Sequence, residues 1–335
     1  MVMAWIEFAV CLLLIGLAGS RLSLYGDVIA EKTGLSGTWI GILMLATVTS
    51  LPELVTALSA VTLAQAPDIA VGGIFGSCVF NLAIIVLIDF VLRPDSVYER
   101  TNNGLIVSAC YSLVIIGVGA FSLVLAGYGE PPHLLHVSLS TPLIVAIYLL
   151  AMRNIFTFER SRQAEMTVEA DFDYLHVSLP KAVFGYTAAS LVVVGVGIWL
   201  PFVGEDLGAA MGWQSTFIGS LFIALATSLP EMVVTLAAAR LGAIDMAVGN
   251  LFGSNLFNIL VLAVADSAFL PGPLLAAASP LHLISALSSM IMTGLAVVGI
   301  YQGTRHRPFR IVGWVSVFLA LAYILNTYLI FVLDR

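Results

Sequence analysis

Charge is scarce in this sequence. Only 10% of its 335 residues are charged and 60% are hydrophobic, whereas an average soluble domain is about 25% charged. A soluble fold of this size would expose more apolar surface than water tolerates, so the composition points to a chain solvated by lipid. Cysteine is scarcer still. Cys11, Cys78 and Cys110 are odd in number, lie in apolar stretches and show no ligand spacing. They read as small buried hydrophobes rather than disulfide or metal cysteines. The five histidines form no ligand pattern either. No nucleophile and base accompany the acids, so the chain does not read as an enzyme. The net charge of −7 is too loosely distributed to mark a nucleic-acid surface.

Long apolar runs are abundant. At about 20 residues per span, ten are expected: Met3–Leu24, Trp39–Ala64, Ile69–Leu92, Asn103–Ala126, Ser140–Phe158, Lys181–Leu200, Ser215–Arg240, Ile244–Phe269, His282–Tyr301 and Phe309–Val332. The first is read as a span rather than a cleaved signal. Basic residues fall after every odd span, among them Lys32, Arg93, Arg160, Arg240 and Arg307, and are missing after the even ones. The positive-inside rule then puts the odd connections in the cytoplasm and both termini outside it. The five tryptophans fall mostly at span ends, where interface anchoring is expected.

One string occurs twice. Thr49-Ser50-Leu51-Pro52-Glu53 returns as Thr227-Ser228-Leu229-Pro230-Glu231. Gly26 to Glu53 aligns without gaps on Gly204 to Glu231, with 12 of 28 positions identical. One residue later drops out, and Ala70 to Asn81 then matches Ala247 to Asn258; Asp68 pairs with Asp245 and Asp89 with Asp266. The chain therefore reads as two five-span units, 1–158 and 181–335, joined by a cytoplasmic linker at 159–180. Five is an odd number, so the second unit enters the membrane from the opposite side. The expected fold is an all-α polytopic membrane protein of ten helices in two inverted-topology repeats, with its substrate site near the midplane.

Each proline removes a backbone donor, freeing carbonyls near Val48 and Ala226. Freed carbonyls inside a membrane require protein, water or an ion. Thr49, Ser50, Thr227 and Ser228 add hydroxyls and Glu53 and Glu231 add carboxylates, giving an all-oxygen environment suited to hard cations such as Na⁺ and Ca²⁺. Ser77 and Asn81 share one helix face, as do Ser254 and Asn258, and their oxygens are placed to complete coordination. Asn255 reads more readily as a partner of broken backbone. Gly72, Gly73, Gly76, Gly249 and Gly253 permit close helix contact. Asp89 and Asp266 read as solvated or paired helix ends, with an ion-path role as the alternative. Asp27, Glu31, Glu205 and Asp206 read as solvated flanks.

With these motifs the sequence resembles the calcium/cation antiporter superfamily, typified by sodium/calcium exchangers, over essentially its whole length. The resemblance implies a central bundle of spans two, three, seven and eight, against which long tilted helices one and six slide. It implies a central Ca²⁺ site of Glu53 and Glu231 with the carbonyls of Thr49 and Thr227. Flanking Na⁺ sites would use the carbonyls of Ala46 and Ala224 and the hydroxyls of Ser50, Ser77, Ser228 and Ser254. Asn81 and Asn258 would complete the central diamond. The chain departs from the family strings at Val48 and Ala226, which replace glycine, and at Cys78, which replaces asparagine. Gly73 also stands where the second half has Asn250.

The leading expectation is Na⁺/Ca²⁺ antiport by alternating access in a prokaryotic inner membrane, exporting Ca²⁺ on the inward Na⁺ gradient. Proton-coupled divalent exchange, a cation channel and a non-transporting scaffold are the alternatives. Bound or transported Ca²⁺ and Na⁺ take the place of a cofactor. Lipid is the only other partner implied.

Overall fold

The computed structural model describes residues 1–33, 48–92, 95–129, 131–163, 177–303 and 313–334. Among these, eight helices are long and apolar enough to cross a membrane, nine when one bent pair is counted as a single span. In chain order they begin with α1 (Val2–Lys32). A short α2 (Leu51–Ser59) follows, continued by a π turn at Ala60–Ala64. Next come α3 (Pro67–Val91), the single turn α4 (Val97–Arg100) and α5 (Leu105–Gly127). A two-residue hairpin, β1 (His133–Leu134) with β2 (Val137–Ser138), interrupts the helices before α6 (Ser140–Gln163).

The second part opens with α7 (Leu179–Met211). Then α8 (Ser215–Phe217), a π turn (Ile218–Ile223) and α9 (Ala224–Thr227) lead to α10 (Leu229–Arg240), with a 46° bend between α9 and α10. The chain continues through α11 (Ile244–Ala268), the short α12 (Leu274–Ala277), α13 (His282–Gln302) and α14 (Trp314–Leu333). The expected second span begins at Trp39, and residues 34–47 lie outside the described part; residues 48–64, with α2 and its π turn, are the portion of that span described.

Burial separates an inner from an outer layer. In the most apolar stretches, 78% of α11 and 67% of α3 is buried, against 33% for α1 and 28% for α7. The inner layer is α3 and α11, crossed by α2 on one side and the bent α9–α10 segment on the other. Here α3 runs unusually close to the 218–223 π turn. A Cβ on Gly76 would sit 2.3 Å from the Ser220 carbonyl oxygen, and one on Gly72 2.9 Å from the Ser220 nitrogen. Gly72 and Gly76 therefore admit a close backbone, whereas Gly73 and Gly249 meet only side chains, Ile223 and Leu105.

α1 and α7 pack along each other outside this layer, and each leans on a broken element. Gly19 of α1 lies against the Pro230 ring, and Gly197 of α7 lies against Val55. Two expectations change at these helices. α1 does not stop at Leu24, nor α7 at Leu200 before its proline. α7 runs on through Pro201 because Val203, Leu207 and Gly208 continue its buried stripe. Trp199 is consequently inside the helix rather than at its end, while Glu205 and Asp206 remain exposed within the same helix. Cys11 and Cys78 are buried, but Cys110 is exposed on the outer face of α5.

Acid side chains tie distant segments together. Asp89, near the end of α3, accepts from the backbone of Val97 (3.2 Å) and Gly313 (2.6 Å) and from the Ser316 hydroxyl (2.9 Å). Asp266, near the end of α11, accepts from the backbone of Leu274 (2.7 Å) and Ser138 (2.9 Å) and from the Thr141 hydroxyl (2.5 Å). Both are buried. The two patterns match: each acid caps its own turn eight residues on and then holds the start of α14 or α6. An anion at a helix N-terminus satisfies unpaired N–H groups and complements the helix dipole. Pairing, rather than solvation or an ion path, accounts for both residues.

Asp68 and Asp245 act likewise at the opposite helix ends. Asp68 accepts from the Ser279 backbone at 2.6 Å, and Asp245 from the Asn102 backbone at 2.7 Å.

Candidate functional site: a crossed pair of glutamates

The site forms where both Thr-Ser-Leu-Pro-Glu strings meet. Ser50 and Ser228 have nearly the same backbone, φ −90°, ψ 13° and φ −86°, ψ 9°, and each stands immediately before a helix with proline at its second residue. Proline fits that position because its missing N–H would be unpaired there anyway. Neither serine caps its own helix. Each hydroxyl instead crosses to the other string: Ser50 Oγ donates to Glu231 Oε1 at 2.8 Å, and Ser228 Oγ to Glu53 Oε1 at 3.0 Å. The breaks thus release two serines from local capping and use them to hold two carboxylates face to face.

Each glutamate uses only one oxygen in these bonds. Among the described residues, Glu53 Oε2 and Glu231 Oε2 are buried and have no hydrogen-bond partner. Acceptor atoms left this way in a dry interior are costly. Two such atoms, on two acids, are directed to whatever the site binds. Thr49, Thr227, Ser77, Ser254, Asn81, Asn258 and Ala224 are all buried as well. Ser77 Oγ lies 3.4 Å from Thr227 Oγ1, linking α3 to the end of α9. Ala46 lies outside the described residues.

The asparagines behave unequally. Asn81 Nδ2 donates to Asn255 Oδ1 at 3.0 Å, while both amide atoms of Asn258 are unpartnered among the described residues. Asn255 Nδ2 donates to the Cys78 carbonyl at 3.2 Å. Asn255 is therefore a bridge between α11 and α3; the backbone it holds belongs to the continuous helix α3 rather than to the broken segment that the sequence suggested.

Two other features carry no motif. Asn250 Nδ2 donates to Thr235 Oγ1 at 3.2 Å. His282 Nε2 lies 3.0 Å from Asp68 Oδ1, and His282 is fully buried. The matching position in the first half is Leu105, so repeat alignment offers no signal for the histidine. The paired aspartates did leave a signal, in their common offset.

Residues 3–159 and 181–332 match the family described as Sodium/calcium exchanger protein. The chain belongs to this family. That membership makes it a transport protein of the membrane rather than an enzyme, and agrees with the resemblance read from the two strings. Its relatives include the inner membrane protein YrbG of Escherichia coli, 25% identical, with 98% of this chain and 100% of that one covered. The sodium/calcium exchanger MaX1 of Methanosarcina acetivorans is 27% identical, covering 72% of this chain and 76% of its own. Among solved structures, the sodium-calcium exchanger NCX_Mj soaked with 10 mM Na⁺ and 10 mM Sr²⁺ superposes with a TM-score of 0.63 at 23% identity, covering 98% and 99% of the two chains. This last likeness is one of fold: a polytopic helical membrane architecture.

Proposed function

We propose that this protein is a secondary active antiporter that exchanges Na⁺ for Ca²⁺ by alternating access, with Glu53 and Glu231 as the shared carboxylates of its central site. The crossed Ser50–Glu231 and Ser228–Glu53 bonds carry the reading. They hold two acids together in a buried, oxygen-rich place, where one divalent cation or competing monovalent ions relieve the mutual repulsion. Family membership and the exchanger relatives support the same conclusion.

In this reading the carbonyls of Thr49 and Thr227 join the carboxylates around Ca²⁺, and Asn81 and Asn258 close the diamond. Na⁺ takes flanking positions that use Ala46, Ala224, Ser50, Ser228, Ser77 and Ser254. Residues 1–158 and 181–335 are inverted five-span repeats joined by 159–180, giving ten spans with both termini outside the cytoplasm. The matched cross-connections of Asp89 with Asp266, and of Asp68 with Asp245, support that symmetry. α1 and α7, each resting through a glycine on the broken element of the other half, are the pair that slides.

The test is isotope flux in proteoliposomes under separately imposed Na⁺, K⁺ and H⁺ gradients. Ca²⁺ uptake driven by an outward Na⁺ gradient is the expected result. Uptake that follows only a pH gradient would replace Na⁺ with H⁺ as the counter-ion. Current without an obligatory counter-ion would make the protein a channel, and binding without flux a scaffold.

A further inference from the structure

The two halves differ along one face of α11. Asn250, Ser254 and Asn258 follow at four-residue intervals and share that face. Thr235 lies one turn after Glu231 on α10 and is tied to Asn250. Asn250 Oδ1, Ser254 Oγ and both amide atoms of Asn258 are buried without a partner among the described residues. Asn250 is 2% exposed, and Thr235, Ser254 and Asn258 are fully buried. In the first half Gly73 replaces Asn250 and Ala57 replaces Thr235, while Ser77 is within reach of Thr227 and Asn81 is paired through its amide nitrogen only. The first half has unpartnered oxygens of its own among the described residues, Thr56 Oγ1 and Asn81 Oδ1, but none at the Ala57 and Gly73 positions. The second carries an oxygen ladder from Glu231 toward the end of the molecule where α10 finishes at Arg240 and α11 begins at Ile244.

We propose that Thr235 and Asn250 form an approach site for a small monovalent cation, Na⁺ in the antiport reading on which this rests, between the Arg240 end and Ser254. The donors would be Thr235 Oγ1, Asn250 Oδ1 and Ser254 Oγ. All are hard oxygens, and none is charged. A neutral set in a buried position compensates one positive charge better than two, because no carboxylate offsets the desolvation of a divalent ion. The Asn250-to-Thr235 bond holds the amide so that its oxygen is the group left to bind. Since basic connections mark the cytoplasmic side, the site serves entry and release on that side only. The halves are then unequal in access while sharing one central site.

Vesicles of known orientation test this with Na⁺ as the probe. The variants are Thr235→Ala and Asn250→Gly, which copy the first half, and Asn250→Ser, which keeps an oxygen. Loss of one neutral oxygen contact, about 0.5–1.5 kcal/mol, raises the cytoplasmic Na⁺ concentration for half-maximal Ca²⁺ flux by about two- to twelvefold. The value on the outer side stays unchanged, and Asn250→Ser recovers most of the loss. Equal shifts on both faces would mean a distorted framework, and no shift on either would mean a structural pair; either result overturns the approach site. If the wild-type protein shows no Na⁺-dependent flux, the antiport reading fails separately. Equilibrium binding of radioactive Na⁺ to the purified protein then decides the approach site. Asn250→Gly must bind fewer Na⁺ than the wild type, and an unchanged binding curve rejects it.

Discussion

Cys78 and Asn255 face each other across α3 and α11, and each reaches toward the other's carbonyl. Asn255 Nδ2 donates to the Cys78 oxygen at 3.2 Å, while Cys78 Sγ lies 4.0 Å from the Asn255 oxygen. They are equivalent positions of the repeat, so this is one interaction made twice with different chemistry. The thiol is a weak donor and has no amide oxygen. Asn255 can therefore both hold a carbonyl and accept from Asn81, whereas Cys78 offers Asn258 only a weak thiol contact. One substitution in the repeat explains why Asn81 is fixed and Asn258 is not.

Asn81→Ala and Asn258→Ala should consequently differ in stability. The first strands the buried Asn255 Oδ1, which costs about 1–3 kcal/mol. The second removes only the weak thiol contact with Cys78. Thermal unfolding in detergent without added Ca²⁺ should show the larger drop for Asn81→Ala. Introducing Cys78→Asn gives Asn258 a partner and should bring the two penalties together. Equal penalties in the unmodified background would remove the asymmetry.

Glu53→Gln and Glu231→Gln should each abolish Ca²⁺ transport, with a loss of at least about a hundredfold in initial rate, or about 2.7 kcal/mol. Ser228→Ala and Ser50→Ala remove one charge-assisted bond each. Such bonds contribute about 1.5–3 kcal/mol, so apparent Ca²⁺ affinity should fall by about ten- to a hundredfold with the carboxylates intact. Initial rates across a Ca²⁺ titration separate the two classes. A serine variant with wild-type affinity would show that the crossed bonds do not position the acids.

Asp89→Ala and Asp266→Ala should lower stability, with Ca²⁺ affinity retained in the molecules that remain folded. Each carboxylate satisfies three donors, two of them backbone N–H groups that have no substitute once it is gone. A loss of several kcal/mol is expected, at about 1–3 for each stranded donor. Thermal midpoints and Ca²⁺ binding on the same preparations distinguish this from an ion-path role, which would alter binding without altering the midpoint.

The glutamates were legible in the sequence because an acid beside proline in an apolar run is anomalous, and two copies make the anomaly specific. Their hydrogen bonds were not. Ser50 and Glu231 are 181 positions apart, and local spacing carries no record of which serine faces which acid. Asp89 was readable as a solvated or paired helix end, but not its partner: Ser316 lies 227 residues away. The end of α7 was misjudged for a different reason. Proline is a stop signal on propensity alone, but a buried stripe in a packed membrane helix overrides it. The glycine series was readable as close packing. Its partner, the π turn at Ile218–Ile223, has no sequence signal that periodicity detects.

Gly76 gives the sharpest test of that packing. Its Cβ would stand 2.3 Å from the Ser220 carbonyl oxygen and 2.8 Å from the Ala224 Cβ, so alanine must push the π turn and α9 away from α3. Overpacking of this kind costs about 1–3 kcal/mol. The displaced segment carries Ala224 and leads into Thr227 and Ser228, so the Na⁺ concentration for half-maximal exchange should rise as well. Gly195 in α7 is the control, since an added Cβ there meets nothing within 4 Å. Gly195→Ala should be neutral or stabilise by up to about 1 kcal/mol through helix propensity. Thermal midpoints and Na⁺ titrations of the two variants should therefore move apart. Similar behaviour would mean that Gly76 is not there to admit the Ser220 backbone.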